Sequence, residues 1–168
     1  HWTSTALLLH KDLNPNQLGI PLSSCNLSSF LQKRCTGRIT CTTITTPAGL
    51  QGIISTYQFQ SCRPREQRIL LRCLSELFKA LKAISAKNIF LLGYLNACIP
   101  GERHGYSGTR PPQDDRLQSW INQESLYSGE TSPNWTWTTL TGDKRSNIDH
   151  ILSWSSPPAP PPAPSLDP

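Results

Sequence analysis

The chain has 168 residues, a formal net charge of +5 and no Met. That length can bury a sizeable core in one domain, and no run approaches the roughly 20 apolar residues of a membrane span. A soluble, intracellular chain is expected, nuclear or cytoplasmic, since Ala6–Leu9 is too short for a signal peptide and no cleavage pattern follows it. The basic balance suits a polyanionic partner.

Thr5–His10 is an apolar run ending in Lys11-Asp-Leu-Asn-Pro15, which reads as a strand entering a loop. Residues 14–37 are rich in Ser, Asn and Gly and read as a long connection, with one helical turn near Leu27–Leu31. Arg38–Thr46 alternates and is rich in β-branched residues, so a strand is expected. Pro47-Ala-Gly49 is a turn, and Leu50–Phe59 is a second strand able to form a hairpin with the first. From Pro64 to Ala86, the residues Leu70, Leu74, Leu77, Phe78, Leu81 and Ile84 make one stripe at helical period. Pro64 suits the first turn of that helix, where its missing N–H costs nothing.

The strand Asn88–Leu92 follows the helix, an α/β arrangement with the helix lying on a sheet. A shorter helix is expected at Gln113–Asn122, with Asp114-Asp115 as its N-terminal cap. Trp135–Leu140 and Asn147–Ser153 read as two short strands, with Thr141-Gly-Asp-Lys144 the turn between them. The chain divides into a domain at 1–154 and a disordered proline-rich tail at 155–168, which holds seven of the 15 prolines. Pro157–Pro160 matches the loose P-x-x-P pattern of SH3 ligands, which proline-rich tails also meet by chance.

The six cysteines are Cys25, Cys35, Cys41, Cys62, Cys73 and Cys98. None forms a C-x-x-C pair, so no metal ligand set is assigned and reduced, mostly buried thiols are expected. The sequons at Asn26 and Asn134 would matter only after secretion.

Phosphodiester hydrolysis needs a metal to offset charge, an oriented water and donors for the phosphate. Five segments occur in an order that resembles the endonuclease/exonuclease/phosphatase superfamily, particularly the apurinic-type endonuclease domains of non-LTR retrotransposons. They are Thr5–Lys11, Gly52–Tyr57, the Arg-rich helix, Asn88–Ala97, and Thr136-Trp137-Thr138 with Ser146–Leu152. The resemblance covers about residues 5–153. It implies an α/β sandwich, partial here, without the N-terminal strands and the closing strand. It also implies Mg²⁺-dependent nicking of DNA. Residue by residue, it makes Tyr57 a phosphate contact, Asn96 the group that orients phosphate or water, and Asp149 the support of a catalytic His. Arg103, His104 and Ser146 become candidate substrate contacts. His150 occupies a usually aromatic position and is expected to be structural.

Each assignment has a plainer alternative. Tyr57 could cap a strand, Asn96 could form a turn, and Asp149 could pair with Arg145 or Lys144. The chain also departs from the pattern. The superfamily carries Gly-Asp-x-Asn at the strand end, whereas this chain has Gly93-Tyr94-Leu95-Asn96. A phenol of pKa about 10 is a poor base at neutral pH. The segments with the metal-binding Glu and the closing Ser-Asp-His are expected to be missing, and Mg²⁺ binding with them. The leading expectation is therefore a degenerate, inactive fragment of a retroelement-type endonuclease. A second is a non-catalytic DNA-binding or interaction module using Arg65–Lys87, where six basic residues face Glu66 and Glu76, a pattern that also fits a solvated helix face. A third is a phosphoesterase acting on a small phosphorylated ligand.

Overall fold

The computed structural model describes residue 35 and residues 37–58, 64–101, 103–128 and 135–157. The expected strand at Thr5–His10, the turn near Leu27–Leu31, the asparagines of both sequons and most of the proline tail lie outside these residues. Strands β1 (Ile39–Thr46) and β2 (Gly49–Tyr57) form an antiparallel hairpin with Thr46 opposite Gly49. Their β-branched residues favour the pleated backbone. Helix α1 (Pro64–Ala83) then returns the chain to β3 (Asn88–Tyr94), which pairs in parallel with β2. Strand β8 (Asp149–Ser155) pairs antiparallel with β3, and β5 (Tyr127–Ser128) pairs with β8. The main sheet runs β1-β2-β3-β8-β5. A small second sheet joins β4 (Arg103–His104), β7 (Arg145–Ser146) and β6 (Trp137–Thr138) in the order β4-β7-β6.

The side-chain period of two puts Ile54, Leu91 and Leu152 on one face, because the three are register partners on adjacent strands. All are fully or almost fully buried, together with Leu70, Leu74, Leu77, Phe78 and Leu81 of α1. Each such side chain contributes roughly 1.5–3 kcal/mol through removal from water. Close approach of helix to sheet requires Gly52, since a Cβ there would lie 2.8 Å from Leu81 Cδ1. Ile84 departs from the expected stripe. The helix ends at Ala83, the chain turns through Ser85 at φ 63°, and Ile84 is 45% exposed.

Helix α2 (Pro112–Glu124) packs beside α1 through an edge contact of Phe78 and Trp120, with ring centroids 6.0 Å apart. Polar groups fix the seam. Trp120 Nε1 donates to Ser75 Oγ at 2.9 Å, and Ser75 Oγ donates to Glu124 Oε1 at 2.6 Å. No side chain caps the start of α2, so the expected capping role of Asp114-Asp115 is not what the chain uses.

Two local expectations differ from the structure. The segment 135–140 holds only the two-residue strand β6, and β6 pairs with β7, which lies ahead of the expected strand at Asn147–Ser153. Strand β8 belongs to the main sheet and runs through Ser155, one residue beyond the expected domain boundary. Helices cover one face of the main sheet. On the other face Phe90 is 38% and Ile151 is 60% exposed. No helix among the described residues is long and apolar enough to cross a membrane.

Candidate functional site at the strand ends

Parallel pairing of β2 with β3 and antiparallel pairing of β3 with β8 set Tyr57, Tyr94 and Asp149 in one row at one end of the sheet. All three side chains share the face opposite the helices, because their register partners alternate away from Ile54, Leu91 and Leu152. The Tyr57 and Tyr94 rings stack, with centroids 5.0 Å apart and planes 20° from parallel. Asp149 is exposed.

Gly93 makes this row possible. Its φ is 143°, and a Cβ there would fall 1.9 Å from the Thr56 carbonyl oxygen. Beyond Tyr94 the ladder continues for one step, with Leu95 N–H donating to Ile148 O at 2.8 Å. Asn96 follows at φ 47°, a left-handed conformation that Asn tolerates better than most residues. It therefore leaves β3 at the same end as Tyr57, Tyr94 and Asp149.

Two side chains hold this rim from behind. His150 is buried on the helix side, and its Nε2 lies 2.7 Å from the Ala97 carbonyl oxygen, which accepts its proton. The ring thus anchors the segment just after Asn96. Thr136 Oγ1 accepts from the Ile148 N–H at 2.9 Å and the Asp149 N–H at 3.3 Å, while its own N–H donates to Asn147 Oδ1 at 3.1 Å. The Thr-Trp-Thr segment is in this way tied to the start of β8. Neither contact was readable from sequence, although a Thr beside Trp and a His inside a strand pattern were the available signals.

Arg103, His104 and Ser146 lie apart from this row, on the small sheet. Arg103 is committed to Asp114: Nε donates to Oδ2 at 2.6 Å and Nη2 to Oδ1 at 2.9 Å. Asp114 Oδ1 also accepts the Cys98 N–H at 2.9 Å. The carboxylate holds the Arg103 guanidinium well above its ordinary pKa. Ser146 is buried. His104 is exposed, its ring 6.2 Å from that of Trp135. At the β6–β7 turn, hydrogen bonds from the Thr139 and Thr141 hydroxyls hold the Asp143 carboxyl down to about 2.

A divalent cation of the Mg²⁺ type asks for oxygen ligands in octahedral array, with carboxylates among them. The row offers one exposed carboxylate, Asp149, beside a phenol at Tyr94. Among the described residues no group of three or more His, Cys, Asp or Glu side chains could hold a metal. These residues do not fit such an ion.

No protein-family model matches the chain. No curated protein matches it either. Solved structures do. The Xenopus laevis APE2 catalytic domain aligns with a TM-score of 0.51 at 18% identity, over 76% of this chain and 49% of that one. The chain carries part of the endonuclease/exonuclease/phosphatase fold. The endonuclease domain of TRAS1, a telomere-specific non-LTR retrotransposon, aligns at TM-score 0.48 and 18% identity, over 71% of this chain and 52% of that one. A Staphylococcus aureus beta toxin variant with bound magnesium aligns at 0.43 and 13%, over 70% and 42%. The chain thus spans about half the length of the solved relatives it matches. The fold agrees with the expected α/β class.

Proposed function

We propose that this chain derives from a retroelement-type DNA endonuclease domain and has lost the cleavage chemistry while keeping the scaffold that presents the rim. One observation carries the reading. The position where the resemblance expects an acid is Tyr94, and its ring is stacked on Tyr57 beside Asp149. A phenol does not deprotonate a water at neutral pH, since its pKa is about 10. The stack also engages the ring of the residue expected to reach a phosphate. His150 offers no substitute base, because its Nε2 faces the Ala97 carbonyl on the helix side. Asn96 and Asp149 remain at the rim as groups able to orient a phosphate or a water.

What the scaffold retains is consistent with binding. Helix α1 buries its apolar stripe and leaves Arg65, Arg68, Arg72 and Lys79 exposed. Such a face would meet DNA through phosphates alone, without sequence preference and with steep loss of affinity as salt rises.

Supercoiled plasmid and an abasic duplex, each with Mg²⁺, test the reading. No nicking is expected from the chain, nor from Tyr94→Asp, which sets one carboxylate beside Asp149 but does not complete a ligand set for Mg²⁺. Metal-dependent nicking by the unaltered chain, abolished by Asn96→Ala or Asp149→Ala, would refute the loss of chemistry. Fluorescence anisotropy with duplex DNA, in the same samples, reads the binding face separately. Arg68→Ala with Arg72→Ala should weaken binding and flatten its salt dependence.

A further inference from the structure

A groove of about 550 Å³ runs between α1 and α2, on the opposite side of the main sheet from the row of Tyr57, Tyr94 and Asp149. The two helices lie side by side in the same direction. Near their starts Gln67 Nε2 donates to the Gln113 carbonyl at 2.9 Å, and near their ends Lys82 pairs with Glu124 at 3.7 Å. Leu71 and Trp120, both almost fully buried, give the groove an apolar floor. Charge within it does not balance. Its three carboxylates each hold a cation already: Glu76 pairs with Lys79 at 3.2 Å, Asp115 with Arg110 at 3.3 Å, and Glu124 with Lys82. Arg68, Arg72 and Arg116 line the same groove with no carboxylate partner among the described residues. Arg68 and Arg72 stand one turn apart on the exposed side of α1. Arg116 lines it from α2. Its Nε donates to Gln67 Oε1 at 2.6 Å, which fixes the side chain and leaves both Nη nitrogens to donate elsewhere.

We propose that the α1–α2 groove is a binding site for a nucleoside phosphate, with Arg68, Arg72 and Arg116 on the phosphates and the rest of the ligand over Leu71 and Trp120. Three guanidiniums without counter-charge on one concave surface favour an anion of several charges. Their planar forks match phosphate oxygens, whereas a lone carboxylate brings one charge and occupies one fork. A free phosphate would fill little of the groove and leave its apolar floor in water. Pockets of roughly 300–1,000 Å³ with a few convergent polar groups hold organic ligands of nucleotide size. The exposed amide of Gln123, on the same wall as Arg116, offers a donor and an acceptor to a base edge. The site binds and does no chemistry, and it shares no residue with the strand-end row.

Isothermal titration of the whole chain with ADP, in buffer free of phosphate and divalent cations, reads the site directly. One saturable site is expected. Adenosine carries the ligand body without the phosphates, and pyrophosphate carries the phosphates without the body. Each should bind about tenfold more weakly than ADP, or worse. Arg116→Ala should weaken ADP binding by about tenfold or more, the effect of losing a charge-assisted hydrogen bond. Arg116→Lys should recover only part of that loss, because an ammonium lacks the fork. Circular dichroism checks that the variants fold. If Arg116→Ala does not, through its lost bond to Gln67, the exposed Arg72→Ala carries the same expectation. Absence of saturable heat with ADP would overturn the proposal. So would pyrophosphate binding as tightly as ADP, which would reduce the groove to a patch of charge, or ADP affinity unchanged in the arginine variants. Arg68 and Arg72 also belong to the face assigned to DNA, but no DNA enters this titration, so the two readings fail separately.

Discussion

Asp114 sits 1% exposed in the first turn of α2, where its sequence position beside Asp115 suggests a cap. It instead takes two hydrogen bonds from Arg103 and one from the Cys98 N–H. A buried charge is tolerable only when paired and fully hydrogen-bonded. Removing one partner leaves the other charge uncompensated, which costs about 3–5 kcal/mol. Arg103→Ala should lower stability by that order in urea unfolding, with Asp114→Ala somewhat milder, since the guanidinium it leaves behind retains some solvent contact. Asp114→Leu combined with Arg103→Met should recover much of the loss, because a well-packed apolar pair can match a buried ion pair. A double variant no more stable than Asp114→Ala would show that the Cys98 N–H, not the ion pair, dominates. Nothing local in the sequence names Arg103 as the partner. The pairing arises only when the loop after β3 folds back over the start of α2.

Two glycines measure how tightly α1 and the strands are set together. At Gly52 a Cβ would press on Leu81 Cδ1, the end of a side chain that can rotate. At Gly93 it would press on the Thr56 carbonyl, which cannot move without breaking the β2–β3 ladder, and φ is 143° there as well. Gly93→Ala should therefore destabilise more than Gly52→Ala, for which overpacking suggests about 1–3 kcal/mol. Thermal unfolding of the two variants checks the order. Equal midpoints would mean that the strand end can shift freely. The helical stripe from Leu70 to Leu81 was legible because burial and a 3.6-residue period coincide. Its failure at Ile84 was not, because Ser85 turns the chain left-handed before that side chain can reach the core.

At the scale of the whole molecule, among the described residues helices shield only one face of the main sheet. Phe90 and Ile151 lie on the other face, with the partly exposed Ile53 beside Phe90 and Leu92 beside Ile151. Exposed apolar area of this kind promotes association. Phe90→Ser with Ile151→Thr should reduce concentration-dependent self-association in light scattering. The same change should leave the unfolding midpoint nearly unaltered, as exposed sites usually shift stability by no more than about 0.5 kcal/mol. A large fall in midpoint would show that these side chains pack in solution against part of the chain itself.

The sequence alone determined what depends on period and backbone chemistry. It specified the hairpin through β-branched runs around Pro47-Ala-Gly49, the amphipathic α1, the strand after it, and the Tyr that stands at Tyr94. These are local properties, written within a few residues of where they act. Tertiary structure decided what depends on which strands become neighbours. It placed Tyr57 and Asp149 on either side of Tyr94, paired β6 with β7 and sent β8 to the main sheet, turned His150 to the Ala97 carbonyl, and gave Asp114 to Arg103. Strand order and register come from burying one shared apolar face, a condition met by the whole chain at once and stated by no single segment.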